Sequence, residues 1–506
     1  MKRKWIKNLA AITLTMSMAL CACGAPEGGD SSGTGTPSAG DSPENTESGT
    51  PDTDTQEPAG NAVSDISGTV VFAVRDSVME QTRLYLRDFK QLYPNIQVEI
   101  QEFSGSDDLY TYLTNQATAQ NMPDVVYGWD NLSTFALQNW IYPLDEFLEK
   151  DDEIQYVPQS FLDGFTYEGK VYALPAWLQF SCLAVNKDLC DELNLDVPSY
   201  DWSIDEFIQL AKDATTNTTS GINHVGSLEQ YLMQEFQGIK GQWGYDSETR
   251  TFDLTNGAFE KSVAILDELG KVPQLVADAM RDQSVLDAGG VDDYSKKFGA
   301  NVDGVSDGKI LIINASTWDD EWLNPSLQGV KWDYYPIPAQ VKGENRPIVH
   351  ADYAMMLSTA RDPEAAFQLL KYITYGKDGI LERMELQNSN ANNLYENNRF
   401  TIPVSTHPEV AEAFKASENV PEGIKYMYDH LDIAVKGDYS KVLPDYWAVI
   451  NDSIYQAKVR IGEGEDAASV ARETQEKLNE SFGASWQIFS EKMQQVQKDF
   501  EAMRNQ

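Results

Sequence analysis

Residues 68–128 switch repeatedly between two hydrophobic periods, and that alternation restricts the possible folds more than any other feature of the chain. GTVVFAV, residues 68–74, is a short β-branched apolar run and reads as a buried strand. SVMEQTRLYLRDFKQLYP then places Met79, Leu84, Leu86, Phe89 and Leu92 at near-helical spacing and stops at Pro94. NIQVEIQEF alternates Ile96, Val98 and Ile100 with polar residues, DDLYTYLTNQATAQ returns to a helical pattern, and PDVVYGW opens a third strand just past Pro123. Strands separated by helices of these lengths require crossover connections, so the spacing predicts an α/β fold with a largely parallel sheet and helices on both faces. The rhythm returns with KILIINA at 309–315 and WDYYPIP at 332–338. Such a sheet places ligand sites at the carboxyl ends of its strands.

Those ends carry aromatic and acidic residues. Arg75 closes the first strand; Trp129 and Asp130 follow PDVVYG; Trp177 follows YALPA; Trp318, Asp319, Asp320 and Trp322 follow ILIINAST. A pyranose has apolar C–H faces and a rim of hydroxyls. It binds between flat aromatic surfaces flanked by carboxylates, amides and guanidinium groups that exchange hydrogen bonds with that rim. Any one tryptophan reads equally well as core; as a group at strand ends they read as a cleft.

The amino terminus points outward from the cell. Lys2, Arg3, Lys4 and Lys7 precede an uncharged apolar stretch from Leu9 to Leu20, too short for a permanent membrane helix and suited to an export signal. Leu20-Cys21-Ala22-Cys23-Gly24 resembles the lipobox of bacterial lipoproteins, which implies a signal peptide at 1–22 and lipidation of Cys23. The alternative is a simple secretory signal with incidental cysteines. A C-x-C metal or redox pair lacks nearby partners. Residues 24–65 hold nine acids, no base and mostly small or polar residues, so they cannot bury a core. As a tether this segment spans on the order of 35 Å.

About 440 residues remain, enough for two lobes. Without the leader's bases the chain has 35 Lys and Arg against 79 Asp and Glu, a net charge of −44, which disfavours nucleic acid and anionic lipid as partners. Cys182 and Cys190 read as free, packed thiols. GFTYEGKV, residues 164–171, nearly matches a phosphate-cradling loop but has Val171 where a magnesium-binding hydroxyl is needed, and reads as a hairpin turn at Glu168-Gly169-Lys170. His224, His350, His407 and His430 are scattered, DGVSDG lacks calcium-loop spacing, and no nucleophile elbow occurs, so no metal or cofactor is expected. Asp319, Asp320 and Glu321 form the one carboxylate cluster resembling a glycosidase dyad; hydrogen bonding to hydroxyls is the preferred role.

Six fragments in order, behind that leader, make residues 68–482 resemble the carbohydrate-type extracellular solute-binding proteins of ABC importers. They are LRDFKQLYPNIQVEI; NMPDVVYGWDNLSTFALQNWIYPLDEFLEKD; YEGKVYALPAWLQFSCLAVNKDLCDELNLDVPSYDWSIDEFIQLAKDAT; ILIINASTWDDEW followed by WDYYPIPA; HADYAMMLSTARDPEAAFQLLKYIT; and LPDYWAVINDSIYQAKVRIGEGEDAASVARETQEKLNESF. The resemblance implies a two-lobed type II periplasmic-binding-protein-like fold, closing like a hinge on a sugar in the cleft. Lobe one comprises 66–175 and 352–424, lobe two 176–351 and 425–506. Crossings fall near 172–179 and 350–355, with a third return around 415–430. The family's cleft aromatics fall on Trp129 beside Asp130, on Trp318, and on Tyr446 and Trp447. Where many relatives have a Gly pair before the last crossing, this chain has His350-Ala351-Asp352-Tyr353, placing Asp352 and Tyr353 at the cleft and leaving the sugar open.

The function implied is capture of an oligosaccharide by a lipid-anchored monomer on the outer face of a bacterial membrane and delivery to ABC permease subunits, without enzymatic turnover. The competing classes are a same-fold receptor for a peptide, polyamine or metal chelate, and an exported glycan-cleaving enzyme. Residues 484–506, with Trp486, Phe489, Met493, Val496 and Phe500 at helical spacing, read as a docked terminal helix.

Overall fold

The computed structural model describes residues 65–504 apart from 105–107, 224–227, 238–240, 274, 276–282, 324–328, 397–398 and 438. The leader, Cys23, the tether and His224 lie outside the described residues.

The expected alternation is present at the start. Strands β1 (Gly68–Arg75), β2 (Ile96–Phe103) and β3 (Val125–Gly128) are separated by helices Met79–Leu92 and Leu109–Ala119. The first helix buries Met79, Leu84, Tyr85 and Phe89 and ends ahead of Pro94. The second begins at Asp108, whose carboxylate accepts from Thr111 N at 2.7 Å, a strong N-cap. Both β2 and β3 run parallel to β1, giving the order β2-β1-β3. Val70, Phe72 and Val74 point into the core, where each contributes roughly 1.5–3 kcal/mol by leaving water.

A short hairpin, β4 (Thr166–Tyr167) and β5 (Lys170–Val171), turns through Glu168 and Gly169, as the sequence predicts. Then come the two strands that organise the molecule, β6 (Leu174–Asn186) and, much later, β10 (Ile348–Met356). Between them lie β7 (Ser220–Asn223), β8 (Ile310–Ser316) and β9 (Trp332–Tyr335); β11 (Val435–Lys436) follows. The sheet order is β2-β1-β3-β10-β6-β8-β7, with β11 on β10 and β9 on β6. The parallel blocks sit at the two ends, β1 with β2 and β3, and β7 with β8. Antiparallel pairing enters where β6 and β10 run between the blocks: the end of β10 pairs with β3, and the second half of β6 with β8 and β9. One α/β sheet is therefore shared by two lobes. Between Asp352 and Tyr353 the β6–β10 register shifts, because Tyr353 faces Pro175 while Asp352 faces Trp177, which leaves Ala176 as a bulge.

A core of Leu183, Val185, Trp202, Phe207, Ile222 and Leu311 serves the β7–β8 end, and Trp202 donates its indole N–H to Pro336 O at 2.8 Å. Cys182 and Cys190 are both buried and unpaired with each other, and burial pushes the Cys182 thiol well above its usual value. Around 415–430, where a third return is expected, lie helices Pro408–Ala416 and Glu422–Tyr428, and the second packs on β9.

The terminal helix is longer than its pattern suggests, running Ala467–Arg504. Phe489, Met493 and Phe500 are buried, with Trp486 and Val496 partly so. The helix packs against segments far apart in the chain. Asn479 exchanges hydrogen bonds with Phe252 N and O, while Phe500 packs on Tyr142 and Phe489 on Tyr167. No helix among the described residues is long and apolar enough to cross a membrane.

Candidate functional site

The pairing of β6 with β10 sorts side chains by face. Leu178, Phe180 and Cys182 enter the core, whereas Trp177 and Gln179 stay partly accessible opposite Asp352 and His350. This polar row is the floor of the candidate site. Trp177 Nε1 donates to Asp352 Oδ2 at 2.7 Å, and Lys441 Nζ donates to Asp352 Oδ1 at 2.5 Å. Behind Trp177 stand the Tyr127 ring at 5.0 Å and the Arg383 guanidinium at 5.6 Å from its ring centroid.

One wall rises from the end of β8. Ser316 and Asp319 form a capping box, with Asp319 Oδ2 accepting from Ser316 N at 2.8 Å. Thr317 Oγ1 accepts from Phe180 N at 3.0 Å and donates to Gln179 Oε1 at 2.5 Å, pinning the turn to β6. Trp318 projects from it with 52 % of its surface exposed, its ring perpendicular to that of His350 at 5.3 Å. Asp320 points inward, held by Arg399 Nε and Nη2 at 2.8 Å each and by Tyr334 Oη at 3.0 Å. The carboxylate cluster thus divides between a cap and an ion pair, not a matched acid and base. Trp322 belongs to the next helical turn, and its side chain and that of Glu321 lie outside the described ones.

The opposite wall is built at the ends of β1 and β3. The Arg75 guanidinium lies 3.6 Å from the Trp129 ring centroid, and Trp129 is stacked with Phe103 at 6.4 Å. Arg75 therefore covers part of Trp129 that a bare aromatic platform would present. Arg75 Nε and Asp130 Oδ2 are buried without a hydrogen-bond partner among the described residues, one donor and one acceptor. Burial, then Asp108, raise the Asp130 pKa above the ordinary carboxylate range, and Arg75 pulls against them. Burial in turn lowers the Arg75 pKa, against the pull of Asp130 and Asp76.

Two expected contacts are not at the surface. Tyr353 is 0 % exposed because it lies on the face of β10 opposite Asp352; its hydroxyl donates to Asp130 O at 2.8 Å. Its ring fills the space over Gly128, where a Cβ would come within 2.1 Å of it. Tyr446 is 5 % exposed and donates to Gln242 Oε1 at 2.9 Å. Its neighbour Trp447, 62 % exposed, is the accessible aromatic of the turn Tyr446–Asn451, which is wound as a π-helix.

The structure thus brings Trp177 and Asp352 together on the floor, with Arg75, Trp129 and Asp130 on one side and Trp318 and Asp319 on another. Asn131, next to Asp130, donates to Ser440 O and Leu443 O, which brings the Lys441 segment to the same edge. Gln179 and Lys441 are added to the expected set. The alternation Trp177-Leu178-Gln179-Phe180 announces Gln179; a lone lysine in a loop gives no signal for Lys441. Among the described residues no group of three or more His, Cys, Asp or Glu side chains is placed to hold a metal ion.

Residues 75–374 match the family described as bacterial extracellular solute-binding protein. A curated binding protein of Brucella abortus (strain 2308) is 22% identical over 274 residues, 53% of this chain and 62% of the relative, so the chain spans less than two thirds of that relative's length. Solved structures share the fold at low identity. An ABC substrate-binding protein from Listeria monocytogenes, in complex with cycloalternan, is similar over 83% of this chain and 100% of its own, with TM-score 0.58 and 16% identity. The sugar-binding protein MalE from Xanthomonas citri is similar over 83% and 99%, with TM-score 0.59 and 15% identity. The GacH receptor of Streptomyces glaucescens GLA.O, solved unliganded and with acarbose, is similar over 82% and 99%, with TM-score 0.55 and 18% identity. This likeness is one of fold, a two-lobed type II periplasmic-binding-protein-like architecture.

Proposed function

Since the chain belongs to the bacterial extracellular solute-binding protein family, we propose that it captures a carbohydrate, an oligosaccharide in the first instance, between its lobes and delivers it to the permease subunits of an ABC importer. It works as a monomer on the outer face of the cell membrane, held there by a lipid on Cys23 and the acidic tether. Its ligand contacts are Trp318, Trp447, Trp177, Arg75, Trp129 and Asp130, with Asp352 shaping the floor. The observation that carries this reading is the partly accessible polar floor beside the half-exposed indole of Trp318, whose ring stands on His350 of that floor, since that combination serves the hydroxyl rim and the C–H faces of a sugar. The binding of cycloalternan and of acarbose by proteins of this fold supports it.

Capture without turnover fits the engagement of Asp319 in a cap and of Asp320 by Arg399. A cationic solute is the weaker choice, because Asp352 is already neutralised by Lys441.

Thermal melting of the mature protein against mono- and oligosaccharides, peptides and polyamines tests the reading. A ligand present at a hundredfold excess over its dissociation constant adds ~2.7 kcal/mol of stability. A shift with one glycan class, recovered uncleaved, is the expected result. Shifts confined to peptides or polyamines, or cleavage of the glycan, would replace it.

A further inference from the structure

Arg383, on the helix Lys377–Asn388, is a guanidinium set among aromatic rings. It lies 5.0 Å from the ring centroid of Tyr85 and 5.6 Å from that of Trp177. Its Nη2 donates to Ile373 O at 2.9 Å and to the hydroxyl oxygens of Tyr85 and Tyr127 at 3.4 Å each. Those hydroxyls give their own protons to Tyr372 O and Ile373 O, so toward the arginine they act as acceptors. Every one of these partners is neutral. No carboxylate among the described residues forms an ion pair with Arg383, and none of its hydrogen bonds with them uses Nε or Nη1.

The other cations of the site are matched. Lys441 is held by Asp352 and Arg399 by Asp320, and Arg75 has Asp130 and Asp76 beside it. The acids around Arg383 are committed elsewhere: Glu382, next to it on the helix, turns to Asp88, and Asp352, across Trp177, is neutralised by Lys441. In a chain with 79 acids against 39 bases, the missing partner is not for want of carboxylates. Trp177, Tyr127 and Arg383 are each partly accessible, so this charge is not sealed in the core.

We propose that the ligand brings the missing charge: Arg383 recognises an acidic group, a uronic-acid carboxylate, on the sugar that lies against Trp177. This deepens the sugar-capture reading and rests on it. A guanidinium is planar, weakly hydrated and permanently charged, and its N–H groups match the oxygens of a carboxylate. The surrounding rings keep bulk water from it, which strengthens its attraction for an anion. The acidity of the whole protein restricts the cargo to few acidic groups, not a polyanion. Its long-range repulsion is screened beyond about 8 Å at physiological ionic strength, whereas contact with Arg383 is local.

The first arm of the test needs no sugar. The mature protein is produced with 5-fluorotryptophan, the Trp177 resonance is assigned from Trp177→Phe, and chloride is replaced by acetate or by sulfate at constant ionic strength and pH 7. Acetate is expected to shift Trp177 saturably in the wild type, with a response at least tenfold weaker in Arg383→Gln. If no tryptophan resonance of the wild type responds to either anion, the proposal is overturned without any variant having to fold. An equal response in Arg383→Gln overturns it too, and saturation by sulfate alone overturns the carboxylate in favour of a sulfate ester. The second arm compares cellobiouronic acid with cellobiose by calorimetry, and tighter binding of the neutral sugar overturns the proposal. Failure of both disaccharides while acetate still titrates Trp177 would count against the sugar reading and leave the anion site standing.

Discussion

Trp177 and Lys441 hold opposite oxygens of the same carboxylate, that of Asp352, at 2.7 and 2.5 Å. Three distant passages of the chain thereby meet at one side chain: β6, β10 and the loop after β11. The ion pair is about four-fifths buried on each side, so removing one partner leaves a largely desolvated charge. Lys441→Met is expected to lower stability by about 1–3 kcal/mol, and Asp352→Asn combined with Lys441→Met to lower it less than Lys441→Met alone. Urea unfolding of the wild type and the two variants checks the order; a double variant weaker than the single would show that the charge is not what Lys441 compensates.

Trp318 and Trp447 should separate cleanly from Tyr353 and Tyr446. The first two are exposed by 52 % and 62 %, so alanine at either is expected to weaken ligand binding roughly tenfold or more with little change in melting temperature. The tyrosines are buried, and Tyr353→Ala is expected to cost about 3–5 kcal/mol of stability. Paired titration calorimetry and melting of the four alanine variants make the distinction.

Glu235, on the helix Glu229–Gln237, is buried with Oε1 accepting from Arg346 N at 3.3 Å, and burial pushes its carboxyl up to about 8. The folded state keeps a proton that the unfolded chain releases near pH 4.3. Its contribution is therefore complete below that value and is lost as pH rises through about 8. Wild-type stability should fall between pH 5 and 8 relative to Glu235→Gln, by up to about 1.4 kcal/mol per pH unit. Urea unfolding of both proteins at four pH values reads this difference, and parallel pH profiles would place Glu235 in water.

Arg399 grips Asp320 with two nitrogens, and the side chains are 21 % and 9 % exposed. Lysine cannot reproduce that fork. Arg399→Lys is expected to lose about 1–2 kcal/mol of stability, with sugar affinity changed less than threefold, since the pair faces inward while Trp318 faces out. An affinity loss as large as that of Trp318→Ala would bring Asp320 into the ligand site.

The hydrophobic periods of residues 68–128 locate β1, β2 and β3, and the β-branched run at 310–316 locates β8, because a continuous apolar run in β1, β3 and β8 and an apolar–polar alternation in β2 are patterns that a single segment carries by itself. Trp318 was legible for a related reason, since it follows directly on the end of that strand, whereas Trp447 came only from the family resemblance. The burial of Tyr353 and Tyr446 was not legible. Which face of β10 looks into the cleft is decided by its register against β6, some 175 residues earlier, and nothing local to HADY encodes it. Lys441 was hidden likewise, since its partner Asp352 is 89 positions away. The partners of the terminal helix were hidden too, because helical spacing reports that a face is buried without saying against what.

The bulge at Ala176 sets a phase. Before it, Pro175 shares a face with Tyr353; after it, Trp177 shares a face with Asp352, although Pro175 and Trp177 are two apart and would otherwise point the same way. The extra residue acts as a half-step between two odd–even patterns, one that suits the packing around β3 and one that presents Trp177 and Gln179 to the cleft. Deleting Ala176 would set Pro175 against Tyr353 and Trp177 against Asp352 as consecutive pairs of an unbroken ladder, with Leu178 and Phe180 still in the core. What would go is the local bend and added twist that the extra residue brings to β6 where it passes from β3 toward β8. Carried outside the ladder, one residue lets both halves of the strand keep their faces and turns the second half relative to the first.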